Sequence, residues 1–385
     1  MSKSAGTLQG EPRQMTDNGS DTGSETADKD TAAAAVSPDQ LPEIPRVTVL
    51  GAGSWGTALA IHAARRGWPT RLWTRRSDHA EAMRADSANR RYLPDAAFPE
   101  TLSATDSMEE ALADPGLVIC AIPSHGMREG MAKARAVIDA QAGDGGRLPM
   151  YLIAAKGIEV DSLATMHEVL AQELPASHGP RIAALGGPSF AKEVAGGRPT
   201  MVVVAAHDEH VRVTVQKLLS GHSMRAYVTD DVLGVELGGT FKNVIAMAAG
   251  IGDGAGLGDN ARAGLITRGL AEISRLAIAL GAHPATLSGL AGMGDLVLTC
   301  TGGLSRNRRV GIALGQGRTL QEILDEMGMV AEGVKNTKSA YKLAQQQSVD
   351  MPLVATMHAI LYGGMDVRDA VSALMGRALK SEREW

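Results

Sequence analysis

Residues 47–60 read VTVLGAGSWGTALA, and the reading of this stretch decides the fold. An apolar run from Arg46 to Leu50 has the character of a short buried strand. Gly51-x-Gly53-x-x-Gly56 then interrupts it, and small residues follow as a helix from Thr57 to Arg66, closed by Gly67 at its C′ position. A chain with 45 glycines will produce Gly-x-Gly-x-x-Gly by chance. Between a strand and a helix it has a physical use: backbone N–H groups and the positive end of the helix converge on one point, where a pyrophosphate can sit. Gly51 would permit the turn, Gly53 would let the diphosphate approach, and Gly56 would let helix meet strand.

Working outward, Thr70–Thr74 reads as the next strand, and LVICAIPS (117–124), YLIAAKG (151–157), RIAALGGPS (181–189) and TMVVVAA (200–206) as further apolar strands between helical stretches. Short, fully apolar strands alternating with helices predict a parallel sheet covered on both faces. From about Asp231 the strands stop. Ile266, Leu270, Ile273, Leu276 and Leu280 recur at helical spacing before Gly281, Thr319 with Glu322 makes a capping box, and Pro352 suits a first helical turn. The expected organisation is a tail over 1–45, a Rossmann-type doubly wound α/β domain over 46–230, and an all-α domain over 231–385. A substrate cleft is expected between the last two.

Three further stretches carry chemistry. After the second strand, where an acid would hold the ribose 2′-hydroxyl of NAD, the chain has Arg75 and Arg76, which suit a 2′-phosphate and predict NADPH ahead of NADH. In ELGGTFKNVIAMAAGIGDG (236–254), Gly238 and Gly239 each weaken a helix by roughly 1 kcal/mol, so another helix or a ligand is expected close to their backbone. Lys242 and Asn243 follow on the next turn, and burial would bring a lysine there towards a proton donor working near neutral pH. In GDLVLTCTGGLSRNRRVG (294–311), Ser305 reads as an N-cap, yet Arg306, Arg308 and Arg309 crowd the first turn beside Asn307. The helix dipole disfavours cations at that end, so a bound anion, a phosphate above all, is expected there.

Composition narrows the field. Residues 1–45 hold eight acids against three bases and so carry the whole net charge of −5, leaving a balanced body. With 3% aromatic residues besides, that body offers little to nucleic acid. Two distant cysteines, Cys120 and Cys300, make neither a disulfide framework nor a metal site, and no histidines pair like ligands, so no metal is expected. A tail rich in small and acidic residues reads as disordered, without an apolar signal core. No stretch reads as an integral membrane segment, and a cytoplasmic location is expected.

Taken together, GAGSWGTALA, AAKGIE with GGPSFA, the 236–254 segment through LITRGL, and GLAGMGDLVLTCTGGLSRNRRVG with VAEGVKNTK resemble NAD(P)-dependent glycerol-3-phosphate dehydrogenases of the bacterial type. The likeness runs from about 46 to 375, in order and at similar spacing. Gly186 stands where the family commonly has Ser, Gly302 and Gly303 fill a variable stretch, and the tail has no counterpart. The resemblance implies reversible reduction of dihydroxyacetone phosphate to sn-glycerol 3-phosphate with NADPH or NADH, feeding glycerophospholipid synthesis, and it admits a homodimer. Carried over by position, it implies Lys242 as the proton-transfer residue, Lys156 touching cofactor and substrate, and Asp295 orienting the substrate and the lysines. Gly187, Ser189, Asn243, Ser305, Arg306 and Asn307 would line the substrate. Ser54, Trp55, Arg75, Ala191, Arg306, Val330 and Glu332 would meet the cofactor, beside Gly51, Gly53, Gly56 and Arg76.

Overall fold

The computed structural model describes residues 44–141, 148–327, 332–379 and 381–382. Almost all of the acidic tail, and Val330, lie outside the described residues. Leu41–Trp385 forms one compact unit. Ile44, within the expected tail, packs against the core.

Eight strands form one sheet: β1 (Val47–Leu50), β2 (Thr70–Trp73), β3 (Leu102–Thr105), β4 (Leu117–Cys120), β5 (Met150–Ile153), β6 (Ile182–Gly186), β7 (Thr200–Ala205) and β8 (Met224–Thr229). Their order is β3-β2-β1-β4-β5-β6-β7-β8. Helices α1 (Ser54–Arg65), α2 (Ser77–Asp86), α3 (Met108–Ala111), α4 (Ser124–Gln141), α5 (Met166–Glu173), α6 (Ala191–Ala195) and α7 (Glu209–Leu219) connect them. Alternate residues of the central strands feed two apolar layers. Val49, Leu72, Ile119 and Leu152 point into one layer. Leu50, Val118, Tyr151 and Ile153 point into the other. That is the doubly wound arrangement expected of continuous apolar strands. The expectation of a wholly parallel sheet needs one correction: β7 runs antiparallel to β6. Only the five-residue α6 lies between these two strands, too little to cover a parallel crossover, so the chain turns back.

Beyond Thr229 the described residues hold no strand. They form α8 (Val232–Gly254), α9 (Gly258–Ala279), α10 (Pro284–Ser288), a π turn over Leu290–Gly294, α11 (Asp295–Thr301), α12 (Arg306–Gly315), α13 (Leu320–Met327), α14 (Glu332–Gln346), α15 (Pro352–Gly363) and α16 (Val367–Met375). The capping box at Thr319 and Glu322 closes in both directions, and Pro352 opens α15.

Helix α8 is the axis of this half, and Leu237, Phe241, Val244 and Ile245 centre the third apolar cluster. By length and composition it is the one described helix able to cross a membrane, but 94% of its apolar window is buried inside the fold. A helix hydrophobic all round is what a core position demands. It meets α12 backbone to backbone. A Cβ on Gly250 would lie 2.2 Å from the Arg308 carbonyl oxygen, one on Gly254 2.1 Å from that of Ile312, and one on Gly311 2.1 Å from that of Met247. This contact sets where the first turn of α12 lies.

Candidate active site

Strand order reverses around β1, which has β2 on one side and β4 on the other. Ligands of open α/β sheets lie in the crevice at the carboxyl ends of the strands, at such a reversal. The glycine loop leaves β1 at that edge. Gly51 has φ +116°, and a Cβ on it would sit 2.7 Å from the Ala121 carbonyl oxygen in the loop after β4. A Cβ on Gly56 would strike the Gly51 carbonyl at 1.9 Å, whereas one on Gly53 would meet nothing within 4 Å. Two of the three glycines therefore serve packing, and the middle one faces open space. Gly53 is also the N-cap of α1 and provides no side-chain cap, and the first turn carries no acid. This uncapped positive end suits a diphosphate. Ser54 is tied to the Tyr92 carbonyl at 2.8 Å. The Trp55 Nε1 donor is buried without a hydrogen-bond partner among the described residues.

The two arginines after β2 differ. Arg76 grips Asp78 with Nε 3.0 Å from Oδ1 and a second contact from Nη2 to Oδ2, and this partner holds the Asp78 carboxyl down at about 2. Arg75 is exposed and bears electrostatically on His125 at the start of α4.

The catalytic candidates converge from three directions. Lys156 lies in the loop after β5, Lys242 on α8, and Asp295 at the start of α11, just past the π turn. Asp295 is buried and bridges both lysines, with Lys156 Nζ 2.7 Å from Oδ2 and Lys242 Nζ in contact with Oδ1. Lys156 Nζ also lies 3.4 Å from the Gly187 carbonyl. Burial is the main force on Lys242; it outweighs the favourable Asp295 charge, and with the repulsion of Lys156 it brings the ammonium down to about 7. The first of the paired glycines now has an explanation: a Cβ on Gly238 would lie 2.8 Å from the Ala291 carbonyl oxygen of the π turn, so the close neighbour is protein. A Cβ on Gly239 would only reach ordinary contact with the aliphatic stem of Lys156, whose Cδ is 3.6 Å away. Gly186 is likewise shut in, with Val235 and Ala291 in the space a Cβ would enter.

A second layer of amides surrounds this centre. Asn307 donates through Nδ2 to Asn243 Oδ1 at 2.9 Å and accepts from the Gly333 N–H at 3.1 Å. Gly187, with φ +102°, turns the chain after β6, and Ser189 donates back to its carbonyl at 3.0 Å. Ala191 opens α6. Ser305 caps α12 by accepting from the Arg308 N–H. Of the three arginines there, Arg308 is engaged by Asp253 through Nε at 2.8 Å and Nη2 at 2.7 Å. An anion at this turn would therefore be met by the exposed Arg306 and Arg309. Glu332 opens α14, and burial raises its carboxyl despite the nearby charges of Arg306, Lys156 and Lys242. Cys300 is buried and its thiol is pushed up to about 12, the behaviour of a small apolar residue. Thr240, Ser124 and Asn336 also border the centre. Reading the sequence overlooked all three, because a neutral polar residue in a helix carries no local anomaly. Asn336 had one available signal, its place one turn after Glu332 on the same face of α14.

The chain resembles known proteins. Residues 46–212 match the family described as NAD-dependent glycerol-3-phosphate dehydrogenase N-terminus, and residues 231–372 its C-terminus. The chain is similar to glycerol-3-phosphate dehydrogenase [NAD(P)+] of Citrifermentans bemidjiense, 49% identical over 337 residues that cover 88% of this chain and 98% of the relative. The counterpart from Geobacter sulfurreducens is 48% identical over 339 residues, covering 88% and 99%. A crystal structure of glycerol-3-phosphate dehydrogenase from Coxiella burnetii superposes with a TM-score of 0.81 at 42% identity, covering 87% of this chain and 100% of that one.

Proposed function

The chain belongs to the NAD-dependent glycerol-3-phosphate dehydrogenase family, and on that premise we propose which of its residues carry the reaction. It is an oxidoreductase that reversibly reduces dihydroxyacetone phosphate to sn-glycerol 3-phosphate with NADPH or NADH, a product that glycerophospholipid synthesis consumes. When bound, the nicotinamide supplies the hydride. The chain must hold the ketone, stabilise charge developing on its oxygen, and deliver a proton there.

Lys242 is the proton donor and Lys156 the second cation facing the oxyanion, with Asp295 fixing both ammonium groups. The observation that carries this assignment is the buried Asp295 bridging two lysines, one from the sheet half and one from α8. Preorganised cations beside a developing oxyanion stabilise it without reorganisation at the moment of reaction. Arg306, with Ser305 and the first turn of α12, holds the substrate phosphate, so that binding energy at the far end orients the carbonyl. Asn243, Asn307, Gly187 and Ser189 shape the substrate side. Gly51, Gly53, Gly56, Ser54, Trp55, Ala191, Glu332 and Val330 serve the cofactor, with the open space at Gly53 as the cradle for the diphosphate. Arg75 reads the 2′-phosphate, with Arg76 beside it, which favours NADPH. The sheet half over 46–230 then binds the cofactor and the helical half over 231–385 the substrate. The expected setting is the cytoplasm, with a homodimer as the assembly to test.

The test is oxidation of NADPH and NADH with dihydroxyacetone phosphate and a panel of keto acids, repeated with Arg306→Ala. Turnover of the phosphorylated ketone, with a KM raised by Arg306→Ala far more than for unphosphorylated dihydroxyacetone, supports the assignment. Equal effects on both ketones remove Arg306 from phosphate recognition.

A further inference from the structure

Lys156 is the one catalytic candidate not held by regular structure. It lies three residues past the end of β5, in a loop, and its long side chain must still bring Nζ to Asp295 from the opposite half of the fold. Something has to fix its main chain. Asn336, buried on the second turn of α14, occupies that place. Its Nδ2 lies 3.5 Å from the Lys156 carbonyl and 3.3 Å from the Thr240 carbonyl on α8. One amide group therefore spans the loop after β5, the helix that carries Lys242, and α14.

Its other end is equally constrained. Asn336 Oδ1 is buried without a hydrogen-bond partner among the described residues. It lies 3.3 Å from the point a Cβ on Gly157 would occupy, and the Ser124 hydroxyl lies 2.4 Å from the same point. The residue after Lys156 is thus wedged between the start of α4 and the Asn336 amide, with no room for a side chain. A buried amide with an unmet acceptor is unfavourable. Packing alone would be served as well by an apolar residue, which could not hold the two carbonyls that the Asn336 donor reaches.

We propose that Asn336 is a positioning residue for the reaction, holding the Lys156 peptide against α8 so that the Lys156 ammonium stays on Asp295 opposite Lys242. The inference rests on the assignment of Lys156, Lys242 and Asp295 made above. Hydrogen bonds of active sites are often long before substrates arrive and tighten in the working complex, which is how the two long contacts of Nδ2 are to be understood. A displacement of about 1 Å at a catalytic group can lower the rate by 10²-fold.

The test is steady-state kinetics and pH profiles for Asn336→Ala and Asn336→Ser in the full chain, beside Lys156→Ala and Lys242→Ala. Both Asn336 variants should lose roughly tenfold or more in kcat, with KM for dihydroxyacetone phosphate and NADPH changed by no more than about twofold. Lys156 is one of the charges that hold Lys242 down. The apparent pKa in the kcat profile should therefore move upward when Lys156 drifts away. A merely structural role would lower thermal stability and leave that pKa unmoved. Where the alanine variant gives no cooperative melt, the serine variant, which retains a hydroxyl donor in part of the space, decides the question. Wild-type kcat and pH profile in a folded Asn336 variant would overturn the proposal, as would a loss confined to KM. If Lys156→Ala and Lys242→Ala themselves retain kcat, the assignment beneath it fails instead, and the two failures are told apart.

Discussion

At the scale of single residues, the decisive property is that Lys242 changes charge near neutrality. Burial takes it from an ordinary ammonium down to about 7, against the pull of Asp295. A proton donor must be charged before it reacts, so kcat for ketone reduction should fall as pH rises through about 7. In the oxidation direction the same group must accept a proton, so that rate should rise over the same interval. Opposed profiles in the two directions would support the assignment, and parallel ones would place the titration elsewhere. Lys242→Ala should keep its affinity for NADPH, measured by fluorescence, and lose roughly 10²- to 10⁴-fold in kcat. Arg75 is tested through cofactor choice. It is exposed, so salt weakens whatever it holds, and Arg75→Ser should raise KM for NADPH on the order of tenfold while sparing NADH. A matched loss for both cofactors would mean that it stacks on the adenine or faces solvent. Lys242 and Arg306 were legible in the sequence because each broke a local rule, a lysine amid apolar residues and arginines at the wrong end of a helix, whereas Lys156 and Asp295 entered only through the family resemblance. Asn336 and Thr240 break none, and only the fold brings Asn336 to both the Lys156 and the Thr240 carbonyl. Nor could spacing tell that Arg308 belongs to Asp253, an ion pair 55 positions apart.

At the scale of elements, the site depends on how closely α8 and α12 can approach. Glycines four apart on each helix, Gly250 with Gly254 and Gly311 with Gly315, bring the two backbones into contact, and α12 begins with the turn proposed to hold phosphate. Gly311→Ala would place a methyl group 2.1 Å from the Met247 carbonyl oxygen. Backbone cannot rotate away as a side chain can, so the helices must separate. We expect a loss of about 1–3 kcal/mol in urea unfolding, together with a higher KM for dihydroxyacetone phosphate and little change in KM for NADPH. An unchanged substrate KM would mean that the position of α12 is not what sets phosphate affinity. The sequence marked the glycines of α8 as anomalous without saying what approached them. It also yielded the strands with continuous apolar runs and the caps at Gly67, Thr319 and Ser305. It failed at β3, whose LSAT run is short and mixed, and at the edge strand β8, which alternates buried and exposed residues. It could not foresee that β7 turns antiparallel, because strand direction depends on what the connection can cover and not on the strand itself.

At the scale of the whole molecule, the sheet half and the helical half are fastened by a buried acid. Glu236 of α8 accepts the His167 N–H at 2.9 Å in the first turn of α5, while its Oε2 is buried with no hydrogen-bond partner among the described residues. Burial raises this carboxyl to about 7; contacts from Thr165 and His167 oppose the rise, and the charge of Glu168 adds to it. His167, whose own ring is held below its usual value by burial and by the neighbouring His207, stands at this junction with Glu168. The unfolded chain releases the Glu236 proton near 4.5, and the folded one near 7. Stability from the neutral acid is therefore complete below about pH 4.5 and is lost as pH rises through about 7, because the unfolded state gives up its proton first. Glutamine reproduces the shape of the neutral acid and does not titrate. Glu236→Gln should then match the wild type near pH 4.5, gain on it steadily to about pH 7, and hold a constant margin above. At about 1.36 kcal/mol per unit, the margin has a ceiling of roughly 3 kcal/mol. Urea midpoints of both proteins between about pH 4.5 and 9 measure it. A margin that does not grow with pH would mean that Glu236 is ionised in the folded protein, and that the two halves are joined there by a carboxylate at a helix N-terminus.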